Sequence, residues 1–101
     1  MSDKIWLKKY PSDAPHTIDP EAYPNLLSMI EEAMTKYANE TAFIFMGKAL
    51  TYGQLDKMSH QFGAYLQSRG LVPGDRIALM MPNMFQFPIA MIGALRAGLV
   101  V

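Results

Sequence analysis

GDRIALMMPNMFQFPIAMIGALRAGLVV, residues 74–101, decides the fold. Arg76 to Met81 is a short apolar run with a β-branched start and no internal alternation, the pattern of a strand covered on both faces in a parallel sheet. Pro82 stops it. Asn83 is a good helix N-cap residue, because its side-chain oxygen can accept from an unpaired backbone N–H. Behind it Phe85, Ile89, Ile92, Ala94 and Leu95 recur at helical spacing. Gly98 terminates the helix, and Leu99, Val100 and Val101 open a second apolar segment. The stretch therefore predicts a strand, a helix and the opening of a parallel strand. A second strand of only three residues pairs weakly and leaves an apolar edge open. The chain is accordingly expected to be the front piece of a larger α/β protein, and in isolation to self-associate through that exposed sheet edge.

Upstream, residues 1–24 carry Pro11, Pro15, Pro20 and Pro24, a density that forbids a regular helix and predicts an extended, proline-rich arm. Its aromatic anchors are Trp6 and Tyr10, and Trp6 is expected to dock on the body of the protein. Residues 25–101 form the domain proper. Leu26 to Ala38 reads as an amphipathic helix capped by Asn25, with Leu26, Leu27, Ile30, Ala33, Met34 and Tyr37 on its apolar stripe. Ala42 to Met46 reads as a strand, paired across Gly47-Lys48 with Ala49-Leu50 in a tight hairpin. Thr51-Tyr52-Gly53-Gln54 has the form of a capping box, so a helix starts there, and Leu55, Met58, Phe62, Tyr65 and Leu66 keep its register to Arg69. Gly53 and Gly63 each cost that helix about 1 kcal/mol relative to alanine, which close packing against a neighbour would offset.

Composition narrows the function. Half of the 101 residues are hydrophobic, and nine basic side chains balance nine acidic ones. Lys4, Lys8 and Lys9 are the densest basic cluster, too small for a nucleic-acid stripe. The absence of cysteine removes disulfides, thiolate zinc sites and thiol catalysis together. Ile5, Trp6 and Leu7 are too short an apolar run for an export signal. Phe87 to Leu95 falls well short of the roughly 20 residues that span a bilayer. A peripheral membrane contact is compatible with this, and a transmembrane one is not. The nine methionines suit adaptable core filling.

No catalytic, cofactor-binding or metal-binding residue emerges. His16 and His60 lack the spacing of a metal pair and read as exposed. Glu32 and Lys36 form an ordinary helix-face pair next to Glu31. Gly70, Gly74, Gly93 and Gly98 do not build a phosphate cradle, because the strand-to-helix junction reads Met81-Pro82-Asn83-Met84, without glycine or lysine. Asn83 lies where open α/β sheets bind ligands, but helix capping accounts for it. Asp75 finishes a turn, and Arg76 faces solvent at the strand entrance.

Function comes from resemblance. Leu50-Thr51-Tyr52-Gly53-Gln54-Leu55, then Leu66, Gly70, Pro73-Gly74-Asp75-Arg76-Ile77-Ala78, Pro82-Asn83 and Leu95-Arg96-Ala97-Gly98, resemble the start of the large N-terminal domain of the AMP-forming, adenylate-forming enzymes. Ile5-Trp6-Leu7-Lys8-Lys9-Tyr10-Pro11 and Leu79-Met80-Met81-Pro82-Asn83, with Phe87-Pro88, are similar to the bacterial long-chain fatty-acid CoA ligases. Gly63, where that family more often has alanine, is a small departure that bears on packing. The resemblance implies a hairpin, helix, strand, helix, strand order with a partly parallel sheet. It also implies a parent enzyme that uses ATP, Mg2+ and CoA to turn a fatty acid into acyl-AMP and then acyl-CoA, in the cytoplasm or at the inner face of the membrane. The family's phosphate loop and catalytic lysine have no counterpart here, so the isolated piece is expected to be inactive and to bind none of these groups. The alternatives are a naturally short, non-catalytic interaction module of the same fold, or the start of an adenylate-forming enzyme for another carboxylic acid.

Overall fold

The computed structural model describes residues 3–101, and residues 1–2 of the expected arm lie outside the described part. Three helices and one hairpin make up the body: α1 (Leu26–Lys36), β1 (Thr41–Phe45), β2 (Lys48–Thr51), α2 (Tyr52–Ser68) and α3 (Gln86–Arg96). The class is α/β. Ahead of the first proline, Ile5–Lys9 winds into a short 3-10 helix, a departure from the extended arm. The prolines that would prevent it begin only at Pro11. Trp6 stays 49 % exposed and does not sink into the body.

Local chemistry sets the helix starts. The Ser28 N–H donates to Asn25 Oδ1 at 2.8 Å and opens α1. At α2 the Gln54 N–H donates to Thr51 Oγ1 at 3.1 Å, while the Thr51 N–H donates back to Gln54 Oε1 at 2.9 Å. This reciprocal pair satisfies two donors that a bare helix end leaves open. The Tyr52 N–H donates to the Glu40 carbonyl at 3.0 Å and the Gly53 N–H to the Ala38 carbonyl at 2.8 Å, which ties α2 to the segment just after α1. A Cβ at Gly53 would lie 3.1 Å from that same oxygen, so the approach suits glycine.

β1 and β2 pair antiparallel, with Phe45 opposite Lys48 and a bulge between Thr41 and Phe43. The turn falls on Met46-Gly47, one residue earlier than expected, with φ of 51° and 79°. Two successive positive φ values are what a two-residue hairpin with the native strand twist requires.

Two expectations from residues 74–101 are corrected. The strand Arg76 to Met81 is reduced to one parallel bridge, Arg76 to Val100. The Ile77 N–H donates to the Val100 carbonyl and the Val100 N–H to the Asp75 carbonyl, both at 2.8 Å, and pairing stops there. Ile77, Leu79 and Met81 are half-buried, whereas Ala78 and Met80 are exposed, so the run has one covered face and one open. Met80 is 97 % exposed. The second correction is Asn83, which does not cap α3; that helix begins at Gln86, and Phe85 is its N-cap residue. The reason is Pro88. In a helix starting at Met84 its missing N–H would break the bond to the Met84 carbonyl, so the helix can begin only where Pro88 falls in the first turn.

The helices close over two apolar clusters. Met34, Leu50, Leu55 and Ile92 form one beneath α1 and the hairpin, and Leu66, Ala94, Ala97 and Leu99 form the other. Between them α2 and α3 cross in close contact. A Cβ at Gly93 would lie 2.9 Å from both the Ser59 carbonyl oxygen and Phe62 Cδ2, and one at Gly63 would lie 3.0 Å from the Gly93 carbonyl oxygen.

Arg96 fastens this crossing. Its side chain is only 8 % exposed, with Nη2 donating to Asp56 Oδ1 at 2.6 Å and Nη1 to Glu31 Oε1 at 2.9 Å. Nε donates to Ser59 Oγ at 3.2 Å, and the Ser59 hydroxyl donates onward to the Asp56 carbonyl at 2.9 Å. Ser59 has no exposed surface. One guanidinium therefore joins all three helices.

Arg96→Met keeps an apolar stem in place and frees two partly exposed carboxylates to hydrate, so it should cost about 1–2 kcal/mol. Asp56→Ala strands a buried guanidinium without its closest carboxylate and should cost about 2–4 kcal/mol. Urea unfolding checks that order, and the reverse ranking contradicts it. Gly93→Ala gains about 1 kcal/mol of helix propensity but forces the contact open, for a net loss of about 1–3 kcal/mol. A thermal melt that rises on this substitution contradicts the packing.

Candidate functional site

An apolar concavity lies between β1 and the start of α3. It has a volume of about 340 Å³, and Phe43, Phe45, Met84, Phe87 and Met91 supply most of its wall. β1 presents these rings because its hairpin is covered on one side only, and the Pro88-delayed start of α3 leaves residues 82–85 as a loop across the other side. Phe45 and Phe85 meet edge to face at 6.0 Å between ring centroids. Asn83 also lines the groove. Freed from capping, its amide is the polar group in an apolar wall. No charged side chain lines the groove.

A second, more polar hollow of about 300 Å³ sits beside Arg96, lined by Leu27, Glu31, His60 and Gln67 among others. His60 Nε2 stands 3.6 Å from Asp56 Oδ1, one helical turn away, and the imidazole is largely exposed. The carboxylates here already serve Arg96, which leaves the hollow without an uncommitted charge on its floor.

The other sequence candidates lie apart. His16 packs edge-on against Tyr10 in the arm, 5.8 Å between centroids, far from any histidine pair. Asp75 Oδ2 accepts from the Val72 N–H at 2.9 Å and completes the turn, and Arg76 is exposed. The Glu32–Lys36 pair is a further correction. Glu31 takes the inter-helix ion pair with Arg96. Glu32 instead accepts a hydrogen bond from the Tyr23 hydroxyl, which together with its negative charge raises the phenol above its ordinary pKa. A helix-face pairing rule sees only i and i+4 neighbours, and the arm residue that reaches Glu32 lies outside that window.

Arg96 is the residue that sequence reasoning missed. Its partners lie 37 to 65 residues away, so no local spacing marks them. A basic residue in the last turn of a helix is ordinary in sequence, because it suits the helix dipole in solvent as well, so nothing local separated Arg96 from an exposed cation.

The described residues do not fit Mg2+ or the phosphates of ATP. Among them no group of three or more His, Cys, Asp and Glu side chains could hold a metal ion. Glu31 and Asp56 are both spent on Arg96, and the strand-to-helix loop offers phosphate neither lysine nor glycine. Among the described residues, no helix is long and apolar enough to cross a membrane.

Comparison with known proteins supplies the context. The family described as AMP-binding enzyme matches residues 30–101. A long-chain-fatty-acid–CoA ligase of Yersinia pestis is 52 % identical over 98 % of this chain, and the chain spans 18 % of that protein's length. The corresponding ligase of Bacillus subtilis is 38 % identical over 97 % of the chain, which spans 17 % of it. Among solved structures, a benzoate CoA ligase from Burkholderia xenovorans superposes with a TM-score of 0.71 at 32 % identity. The match covers 77 % of this chain and 16 % of that one. With the family model matching residues 30–101, this chain belongs to the AMP-binding enzyme family.

Proposed function

We propose that this chain is the N-terminal scaffold of a long-chain fatty-acid CoA ligase, and that it carries none of the reacting groups itself. The observation behind this reading is the identity of 52 % to a long-chain ligase, sustained across 98 % of the chain, arm included. In the complete enzyme a fatty carboxylate attacks the α-phosphorus of ATP and expels pyrophosphate. The CoA thiol then attacks the acyl-AMP carbonyl and expels AMP. Mg2+, held by the rest of the enzyme, would supply neutralisation of the phosphate charge in the first step. The contribution of residues 3–101 is a rigid three-helix support, and the nucleotide, metal and CoA contacts belong to the rest of the enzyme. The parent acts in the cytoplasm or at the inner face of the membrane, where an apolar acid is delivered. The lack of a spanning helix among the described residues is in keeping with this.

A second reading keeps the chemistry and changes the acid, since a benzoate CoA ligase has the same fold in this region. The higher identity to the long-chain ligases favours the fatty acid. Expressed in full, the parent should release pyrophosphate and form acyl-CoA with long-chain fatty acids, and the purified 101-residue chain should release none. Turnover by the isolated chain, or a parent that uses benzoate in preference to fatty acids, contradicts the proposal.

A further inference from the structure

The arm ahead of α1 holds apolar side chains that the three-helix support does not use. Ile5 is 72 % exposed, Trp6 is half exposed, and the 3-10 helix Ile5–Lys9 buries none of its residues. Tyr10, the next residue, is exposed as well. An indole and an isoleucine left in water forgo the stabilisation that removing their apolar area from it would bring.

Positive charge gathers on the same few residues. The chain as a whole is formally neutral, yet Lys4, Lys8 and Lys9, three of its nine basic side chains, fall within this segment, with Asp3 the only acid among residues 3–10. Among the described residues none of these lysines takes part in an ion pair. A 3-10 helix turns once in three residues, so Ile5 lines up with Lys8 and Trp6 with Lys9. Each exposed apolar side chain therefore has a cation on its own side. A lysine stem can lie along apolar matter while its ammonium stays in water.

An apolar body with a cationic rim has the chemistry of an anionic lipid surface: aromatic rings settle at headgroup level and lysines meet the lipid phosphates. Packing against another part of the enzyme would account for the indole alone, whereas a lipid surface accounts for the indole and the lysines together. The comparisons set the same segment apart. The family model begins at residue 30, whereas the similarity to a long-chain-fatty-acid–CoA ligase runs over 98 % of the chain.

We infer that Ile5–Lys9, with Lys4 and Tyr10, is a contact for a bilayer that contains anionic phospholipid, with Trp6 and Ile5 entering at headgroup level. The inference deepens the proposed ligase reading and rests on it for the purpose of the contact, which is to meet an apolar acid where it partitions. The contact is weak and reversible, because one short helix carries little of the apolar area that a stable anchor needs.

Sedimentation of the full-length parent with vesicles of phosphatidylethanolamine and phosphatidylglycerol, against vesicles of phosphatidylcholine alone, tests this. Binding should favour the anionic vesicles and weaken as salt is added. Replacing both lysines, Lys8→Gln with Lys9→Gln, should lower the partition coefficient about tenfold or more, and Trp6→Ser about fivefold or more. These side chains are exposed, so the melting midpoint of the parent should move by less than about 2 °C. Absence of binding, equal binding to neutral vesicles, or binding that ignores either the lysine pair or Trp6 overturns the inference. Unchanged vesicle binding with a melt lowered by Trp6→Ser gives the segment to the remainder of the polypeptide instead. Sedimentation reads binding without turnover, so a parent active on another acid would undo the fatty-acid reading while leaving this result intact.

Discussion

One buried cation organises the molecule. Arg96 projects from the last turn of α3 into the angle between α1 and α2, and its donors are shared among Asp56, Glu31 and Ser59. A guanidinium can do this because its planar fork offers several donors in fixed directions, which a lysine ammonium cannot match. The carboxylates reach solvent at 39 % and 47 %, so they retain part of their hydration while neutralising a charge that is hidden. Taking a charge out of water is costly, and the balance is favourable here because only one member of the group is deeply buried. The gain is in geometry as much as in energy: α3 cannot slide along α2 without breaking several directional bonds at once.

Glycine makes that geometry reachable. Gly63 and Gly93 let the two backbones approach so closely that a methyl group on Gly93 would strike the Ser59 carbonyl. That approach carries the Arg96 head group to Ser59 and Asp56 on the neighbouring helix. Apolar clusters lie on either side of the crossing, one under the hairpin and one against Leu99 and Ile77. The second cluster also holds Leu99 against Ile77, next to the residues that form the parallel bridge.

What was legible in the sequence was what local chemistry decides. The Thr51–Gln54 capping box, the Asn25 cap and the turn closed by Asp75 all involve residues three apart, and each forms. The helices and hairpin follow from periodicity and turn residues. The Arg96 cluster was invisible because it joins residues from three helices, and the groove because it depends on how the hairpin lies against α3. Asn83 misleads for a subtler reason: its capping propensity is local, whereas Pro88 five residues later controls where the helix can begin. The run from Ile77 to Met81 carries the pattern of a doubly covered strand, yet only one side is covered here, with Ala78 and Met80 exposed, because hydropathy alone does not say how many neighbours a strand finds.

Native-state hydrogen exchange on the chain tests most directly whether α1, α2 and α3 are locked into one unit by the Arg96 crossing. The account predicts that interior amides of all three helices exchange through a single common opening, with the same dependence on denaturant, while the arm and residues 78–81 exchange far faster. If α3 opened on its own, with α2 and α1 still protected, the crossing would not be what holds this scaffold together.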